Sequence, residues 1–337
     1  MARGSHRTRG PSLGSKPVPK ILVTGGAGTI GQAVVRRLLA DPQWDVRVSD
    51  QREAPQWIAE ACEVHSGDLR EREQAREATT GCTHVIHLAA IVGGIANFHK
   101  LPYTLTDVNS SLYNAVVGAA IAEGVERFTY VSSSMVFENA TLFPTPESYI
   151  GECPVPTSAY GFSKLAGEHW VRAANDEHGL PYTICRPFNA YGPGEMPENE
   201  PGIAHAVPDL IRKCLALPSD ESPLPIFGDG THTRTLTHVD DIADGIVTAT
   251  GAEVALGEDF NISASDELTV AQIAAIVWQA CGRDPAAFSL QHLPSFDVDV
   301  VRRWPDVSKA ERVFGWKAQI VAEAGIASTV EWLRERV

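Results

Sequence analysis

Lys20-Ile21-Leu22-Val23-Thr24-Gly25-Gly26-Ala27-Gly28-Thr29-Ile30-Gly31 decides the fold. Residues 20–24 are a short apolar run rich in β-branched side chains, and residues 32–39 go on with helical periodicity. Between them the glycines at 25, 28 and 31 make the expected order strand, glycine loop, helix. They permit a tight turn, let backbone N–H groups approach a pyrophosphate and bring helix close to strand, while the helix N-terminus favours the anion. Thr29 and Ile30 stand at that helix start and join Gly25, Gly28 and Gly31 as candidate cofactor contacts. A glycine triplet alone is a weak signal, so the next strand matters. Residues 45–49 form it, and it ends in Asp50, where a carboxylate can bind the adenosine ribose hydroxyls. An acid there favours NAD over NADP, whose 2′-phosphate it would repel, although the nearby Arg52 blurs that preference.

The 337 residues suffice for one large domain or two intimately packed ones. No run of about 18 apolar residues exists and the N-terminus lacks the apolar stretch of a signal peptide, so a cytoplasmic protein with no membrane partner is expected. Six cysteines are scattered without a Cys-x-x-Cys pair, which suits reduced thiols rather than a metal site or a disulfide framework. A formal charge of −14 argues against nucleic acid as a partner. Phosphorylated small molecules remain open, since they need only a local cluster of arginines. Residues 1–19, basic and rich in Gly, Ser and Pro, are expected to be a disordered tail.

Farther along, Gly67-Asp68-Leu69 follows another short apolar stretch and either meets an adenine or forms a plain polar turn. Residues 83–90 read as a buried parallel strand ending in Ala89 and Ala90, small enough for a dinucleotide to lie against the backbone. His84 and His87 are expected to be strand histidines rather than ligands. A helix over 107–122 precedes a strand over 127–131, which delivers Ser132-Ser133-Ser134 to its carboxyl end, where ligands sit in an open α/β sheet.

Tyr160 and Lys164 then stand four residues apart at a helix start that Thr157 or Ser158 can cap, and that spacing puts both on one face. A phenol titrating near about 10 is a poor base at neutral pH, and a nearby ammonium lowers that value. Ser133 as hydrogen-bond donor to a substrate oxygen, Tyr160 as acid or base and Lys164 as its electrostatic tuner form a possible triad. No Gly-x-Ser-x-Gly elbow surrounds the serines, which leaves a nucleophilic role poorly supported.

With these pieces in order the chain resembles the extended short-chain dehydrogenase/reductase family, and within it the nucleotide-sugar epimerases and reductases. The resemblance runs from Lys20 nearly to the end. It rests on Thr-Gly-Gly-Ala-Gly-x-Ile-Gly (24–31), His-Leu-Ala-Ala (87–90), Ser132-Ser133 and Tyr-Gly-x-Ser-Lys (160–164). Further pieces are Arg-Pro-x-Asn-x-Tyr-Gly-Pro (186–193), Gly-Asp-Gly-x-x-x-Arg-x-x-x-His-Val-x-Asp (228–241), and Arg-x-x-Asp-x-Ser-Lys with Phe-Gly-Trp (303–316). It implies a Rossmann-like doubly wound parallel sheet over 20–190 plus about 229–260 that binds NAD. A smaller, discontinuous α/β domain over about 191–228 plus 261–337 would bind a nucleotide-diphosphate sugar, with a return to the sheet near 235–248. The resemblance also implies that Asp68, Leu69, Ala89, Ala90, Tyr160 and Lys164 contact the cofactor, with Lys164 holding the nicotinamide ribose. Arg234 and Arg303 would grip the substrate diphosphate, a task suited to a guanidinium fork, and Gly93, Gly94, Ser134 and Asn189 would contact the sugar nucleotide. A homodimer through helices 110–123 and 164–177 is implied as well.

The shared chemistry of such enzymes is transient oxidation of a sugar. The 4,6-dehydratases carry acids beside the serine, where this chain has Ser134 and Met135. The loop 89–95 resembles that of the GDP-fucose synthase and GDP-mannose 3,5-epimerase groups, which use a cysteine at the position of Met135 and, in the synthases, a histidine at that of Gly194. Met135 carries no transferable proton. Simple oxidation and re-reduction at one carbon, 4-epimerisation, is therefore the first expectation. A 3,5-epimerase or 4-ketoreductase of a GDP- or dTDP-sugar is the alternative, and a non-enzymatic NAD-binding regulator a more distant one.

Overall fold

A computed structural model describes residues 18–92, 100–198, 204–295 and 300–336. Seven parallel strands form the central sheet: β1 (Lys20–Thr24), β2 (Asp45–Asp50), β3 (Glu63–Ser66), β4 (His84–His87), β5 (Arg127–Val131), β6 (Tyr182–Pro187) and, much later in the chain, β11 (Asp259–Ile262). Their order across the sheet is β11-β6-β5-β4-β1-β2-β3. The winding reverses between β1 and β4, and such a switch point opens a crevice at the strands' carboxyl ends. Every residue of β5 and β6 is buried, as a parallel sheet covered on both faces requires. The expected α/β architecture, a Rossmann-like doubly wound sheet, is borne out.

Helices cover both faces because the connections between parallel strands must cross over. In chain order they are α1 (Thr29–Leu39), α2 (Gln56–Ala61), α3 (Arg72–Thr79), α4 (Pro102–Glu123), α5 (Ala159–His178), α6 (Ala206–Ala216), α7 (Val239–Gly251), α8 (Val270–Ala280), α9 (Ser308–Phe314) and α10 (Ala322–Arg334). Val34 and Leu38 of α1 and Ile242 and Ile246 of α7 share one core with Ile21 and Val23. Val116 of α4 and Val171 of α5 share another, on the opposite face, with Leu22 and Val85. Fully burying one such aliphatic side chain contributes about 1.5–3 kcal/mol.

Local chemistry sets the helix ends. Of the two candidate caps before Tyr160 the structure uses Ser158, whose Oγ accepts the Gly161 N–H at 3.0 Å. Gly179 ends α5 in the left-handed conformation at φ 71°. Helix α4 begins earlier than the 107 expected from sequence, because Pro102 fits the first helical turn, where its missing N–H costs nothing.

The remaining strands lie outside the large sheet. They are β7 (Ala190–Tyr191), β8 (Leu224–Phe227), β9 (Thr233–Thr235), β10 (Thr237–His238), β12 (Glu267–Thr269), β13 (Leu290–Leu293) and β14 (Arg302–Arg303). The return to the sheet expected near 235–248 takes a different form. That stretch supplies part of β9, β10 and most of α7, and the added sheet strand is β11, after α7 has crossed the face. Helices α6, α8 and α10 enclose a separate apolar core with Ile211, Trp278 and Leu333. Among the described residues no helix is long and apolar enough to cross a membrane. The expected basic tail lies, through residue 17, outside the described residues.

Candidate active site

The turn after β1 is built for close approach. Gly25 adopts φ 71°, and a Cβ there would stand 2.9 Å from the Ala89 nitrogen in the loop after β4. A Cβ on Gly31 would overlap the Gly25 carbonyl oxygen, so α1 can lie against the turn only without a side chain. The Gly28 N–H donates to Gly25 O at 3.0 Å, closing the loop on itself. Thr29 and Ile30 open α1. The Thr29 hydroxyl donates to Gly194 O at 3.2 Å, and Ile30 lines the central cavity with Leu88. At the end of β2 the Asp50 carboxylate accepts the Ala27 N–H at 3.0 Å, so it sits beside the glycine turn as expected. Arg52 folds back on it, Nη2 to Oδ2 at 3.0 Å and Nε to Oδ1 at 3.2 Å. These features, a cradle that any Cβ would fill and a carboxylate at its rim, fit a dinucleotide.

Asp68 caps its own turn and accepts from Gln51 Nε2 at 3.0 Å and Arg70 Nε at 2.9 Å. Arg70 holds its carboxyl below the usual range despite partial burial. Leu69 is buried in the core. Ala89 and Ala90 follow β4, whose His87 is fully buried and bonded through Nδ1 to Thr24 Oγ1 at 2.8 Å. Burial, with the Lys164 charge, pushes His87 down to about 3, so it is a neutral strand histidine. Gly93 and Gly94 lie outside the described residues.

Ser133, Tyr160 and Lys164 meet at the carboxyl end of β5. The Ser133 hydroxyl accepts the Met135 N–H at 3.2 Å and meets the Tyr160 phenol. Lys164, only 3% exposed, donates from Nζ to Val131 O at 2.9 Å and stands 5.5 Å from the Tyr130 ring centroid. Burial pushes Lys164 down to about 8, against the pull of the Glu168 carboxylate. Lys164 is not the group that tunes Tyr160, contrary to the reading from helical spacing. The Tyr160 phenol stays above its ordinary value, raised by burial, and the groups that work against burial are Ser133 and Arg303 rather than Lys164. Helical spacing does put Tyr160 and Lys164 on one face, but the lysine stem runs inward and spends its ammonium on the strand's last carbonyl.

These residues floor a cavity of about 340 Å³ that runs between the large sheet and the α6, α8 and β9 layer. Asn189 takes the left-handed conformation at φ 39°, which asparagine tolerates better than most residues. Its Nδ2 donates to Thr235 O at 2.9 Å, and its Oδ1 accepts from Arg303 Nη1 at 3.3 Å. Arg303 of β14 pairs in parallel register with Arg234 of β9, which sets two guanidinium side chains on one wall. Ser134 and Met135, next to Ser133, are buried and line the same cavity.

Three cavity-lining groups were not singled out from the sequence as site residues. Lys213 holds its ammonium 4.3 Å from the Phe227 ring centroid beside Asp209, on α6 and β8. The aromatic residue directly before Gly-Asp-Gly was the available signal for Phe227. His205 faces the cavity at the start of α6. Its Nδ1 and backbone N–H both bond Glu195 Oε1, at 2.7 and 3.0 Å, and the carboxylate's charge raises the imidazole above its usual value.

The NAD dependent epimerase/dehydratase family model matches residues 21–263. A UDP-glucose 4-epimerase of Mycolicibacterium smegmatis is 30% identical over 332 residues, covering 94% of this chain and 99% of that protein. A GDP-mannose 3,5-epimerase of Arabidopsis thaliana is 26% identical over 324 residues, covering 94% of this chain and 83% of that protein. The solved structure of UDP-glucuronic acid 4-epimerase from Bacillus cereus, in complex with UDP-glucuronic acid and NAD, superposes with a TM-score of 0.82 at 26% identity, covering 94% of this chain and 99% of that one. The resemblance drawn from the motifs is thereby borne out, as is NAD as cofactor, and the chain belongs to the NAD dependent epimerase/dehydratase family.

Proposed function

We propose that this protein is a nucleotide-diphosphate-sugar 4-epimerase working through a transient 4-keto sugar. The observation that carries this is the Tyr160–Ser133 pair beneath a wall bearing Arg234 and Arg303, with the proton-inert Met135 beside it. Paired guanidinium groups suit a diphosphate, which they can bind in bidentate fashion. Asn189, Ser134 and the loop with Gly93 and Gly94 complete the proposed sugar-nucleotide contacts. Acting as the phenolate, Tyr160 accepts the proton of the C4 hydroxyl as the C4 hydride departs, and as the phenol it returns that proton when hydride is delivered to the opposite face of the rotated ketone. Bound NAD supplies the acceptor for that hydride. Gly25, Gly28, Thr29, Ile30, Gly31, Asp50, Asp68, Leu69, Ala89 and Ala90 are its proposed contacts, with Lys164 on the nicotinamide ribose.

A second reading has a specific observation behind it. His205, backed by Glu195, lines the same cavity, and a carboxylate-backed imidazole is a suitable base for a C–H proton next to a ketone, which is what 3,5-epimerisation requires. Incubation with UDP-, GDP- and dTDP-sugars in deuterated water separates the two. The expected product is a C4 epimer without deuterium on carbon. Deuterium at C3 or C5, lost in His205→Ala, would favour the second reading, and no turnover of any of them would sink both.

The division of labour proposed is NAD on residues 20–190 plus about 229–260, and the sugar nucleotide on about 191–228 plus 261–337, supported by the separate core of the latter. A homodimer is supported by the outer face of α5, where Phe162 and Trp170 are 47% and 41% exposed beside Leu165 and Ala173. Trp170→Glu is expected to halve the mass found by light scattering, and an unchanged mass would remove this face as the interface. A cytoplasmic location is proposed on the strength of the free thiols, with cell fractionation as its check.

A further inference from the structure

A chain of charges lies buried directly behind the candidate active site. Glu168 follows Lys164 by one helical turn, and its Oε1 accepts from the Ser132 hydroxyl at 2.7 Å. Arg186 of β6, fully buried, grips the same carboxylate with two bonds of 2.7 Å from Nε and Nη2. Its Nη2 also donates to Asp259 Oδ2 of β11 at 2.6 Å. Asp259 in turn holds Arg172 of α5 at 3.2 Å and Lys309 of α9 at 3.0 Å, where the chain of charges reaches the edge of the sheet. Burying these charges is costly, and an apolar cluster of the same volume would serve folding as well or better. What an apolar cluster would not do is act on the groups at the end of β5.

That strand end is held at three consecutive points. Lys164 Nζ bonds Val131 O, Glu168 bonds the Ser132 side chain, and Ser133 is the residue that meets Tyr160. The groups facing the Lys164 ammonium are few. From β4 comes neutral His87, from β5 the Tyr130 ring, and from its own helix Glu168. Tyr113 of α4 and Tyr130 are phenols that burial keeps un-ionised. Arg186 lies beyond Glu168, and Arg303 acts on Tyr160 from β14. Among the described residues Glu168 is the one carboxylate that acts on Lys164.

We infer that Glu168 is a positioning residue that fixes the Val131–Ser133 strand end through Ser132 and supplies the negative charge that keeps the Lys164 amine protonated. Arg186, with Asp259 behind it, holds that carboxylate in place. The inference rests on Lys164 as part of the proposed site, but its test does not depend on turnover.

The experiment is a pH titration of the Lys164 Nζ resonance in lysine-selective ¹⁵N-labelled full-length protein, with and without NAD, assigned by its disappearance in Lys164→Met. Glu168→Gln is expected to move the midpoint down by about one unit, a tenfold change, and Glu168→Asp to restore it. In turnover assays the alkaline limb moves with the midpoint in the same direction. A folded Glu168→Gln protein whose midpoint stays within a few tenths of the wild type overturns the inference, because a purely structural role lowers rate or stability without moving a titration. Should Glu168→Gln fail to fold, Glu168→Gln with Arg186→Met removes both buried charges together, a change that buried ion pairs often tolerate. A downward shift smaller than that of Glu168→Gln is expected there, because the Arg186 charge beyond the carboxylate is lost as well, and an unmoved midpoint again overturns the inference. A shifted midpoint in a protein that turns over no sugar nucleotide would uphold the electrostatics while sinking the proposed function.

Discussion

Tyr160→Phe is expected to lower turnover of the sugar nucleotide by about 10²–10⁴-fold, the usual contribution of a positioned acid or base. The ring stays, so packing in the buried site changes little. The change deletes the oxygen that meets Ser133 and lies within the field of Arg303. Three of the described groups around it are poorly placed to take over the proton. Met135 has none to transfer, Lys164 is committed to Val131 O, and His87 is buried, neutral and bonded through Nδ1 to Thr24. Binding should survive, because Asp50, Arg234 and Arg303 are untouched. The check is to measure initial rate, NAD released on denaturation and sugar-nucleotide affinity on the same preparation. A rate within tenfold of the wild type, with binding intact, would move the proton chemistry elsewhere, and the Glu195–His205 pair would then be the place to look.

Gly31→Ala is expected to cost about 3 kcal/mol of stability and at least tenfold in NAD affinity. The added carbon would overlap the Gly25 carbonyl oxygen and stand 2.8 Å from Gly26 Cα, both backbone atoms, so no rotamer change relieves the clash and α1 must back away from the turn. Moving α1 carries its N-terminal N–H groups away from the place where a pyrophosphate would sit. Gly118→Ala within α4 is the matching control. Nothing lies within 4 Å of a Cβ there, and the substitution is expected to stabilise by about 0.5–1 kcal/mol through helix propensity alone. Urea titration and calorimetric NAD binding on the pair decide the matter. Wild-type stability and affinity in Gly31→Ala would mean that α1 does not need its close approach.

Much of the site was legible because its determinants are local. The order strand, glycine loop, helix follows from residues close in sequence, and so does the capped helix that puts Tyr160 and Lys164 on one face. The carboxyl ends of β1, β4 and β5 converge because parallel strands with crossover helices leave few ways to wind, so Gly25 meets Ala89 and Ser133 meets Tyr160 as the order of elements predicts. Helix α4 was less legible at its start, since a proline reads equally well as a breaker and as a first-turn residue.

What the chain's own order determined, then, was the sheet, the dinucleotide turn and the serine, tyrosine and lysine at its crevice, each set by short-range periodicity, turn chemistry and strand polarity. Tertiary structure alone decided the charges. It placed Arg234 beside Arg303 through a β9–β14 pairing of distant segments, brought His205 onto Glu195 at the cavity, and bonded the Lys164 ammonium to Val131 O. Electrostatic partners depend on distances of a few ångströms between segments far apart in sequence, and on how deeply each group is buried. Neither quantity is set until the layers have packed.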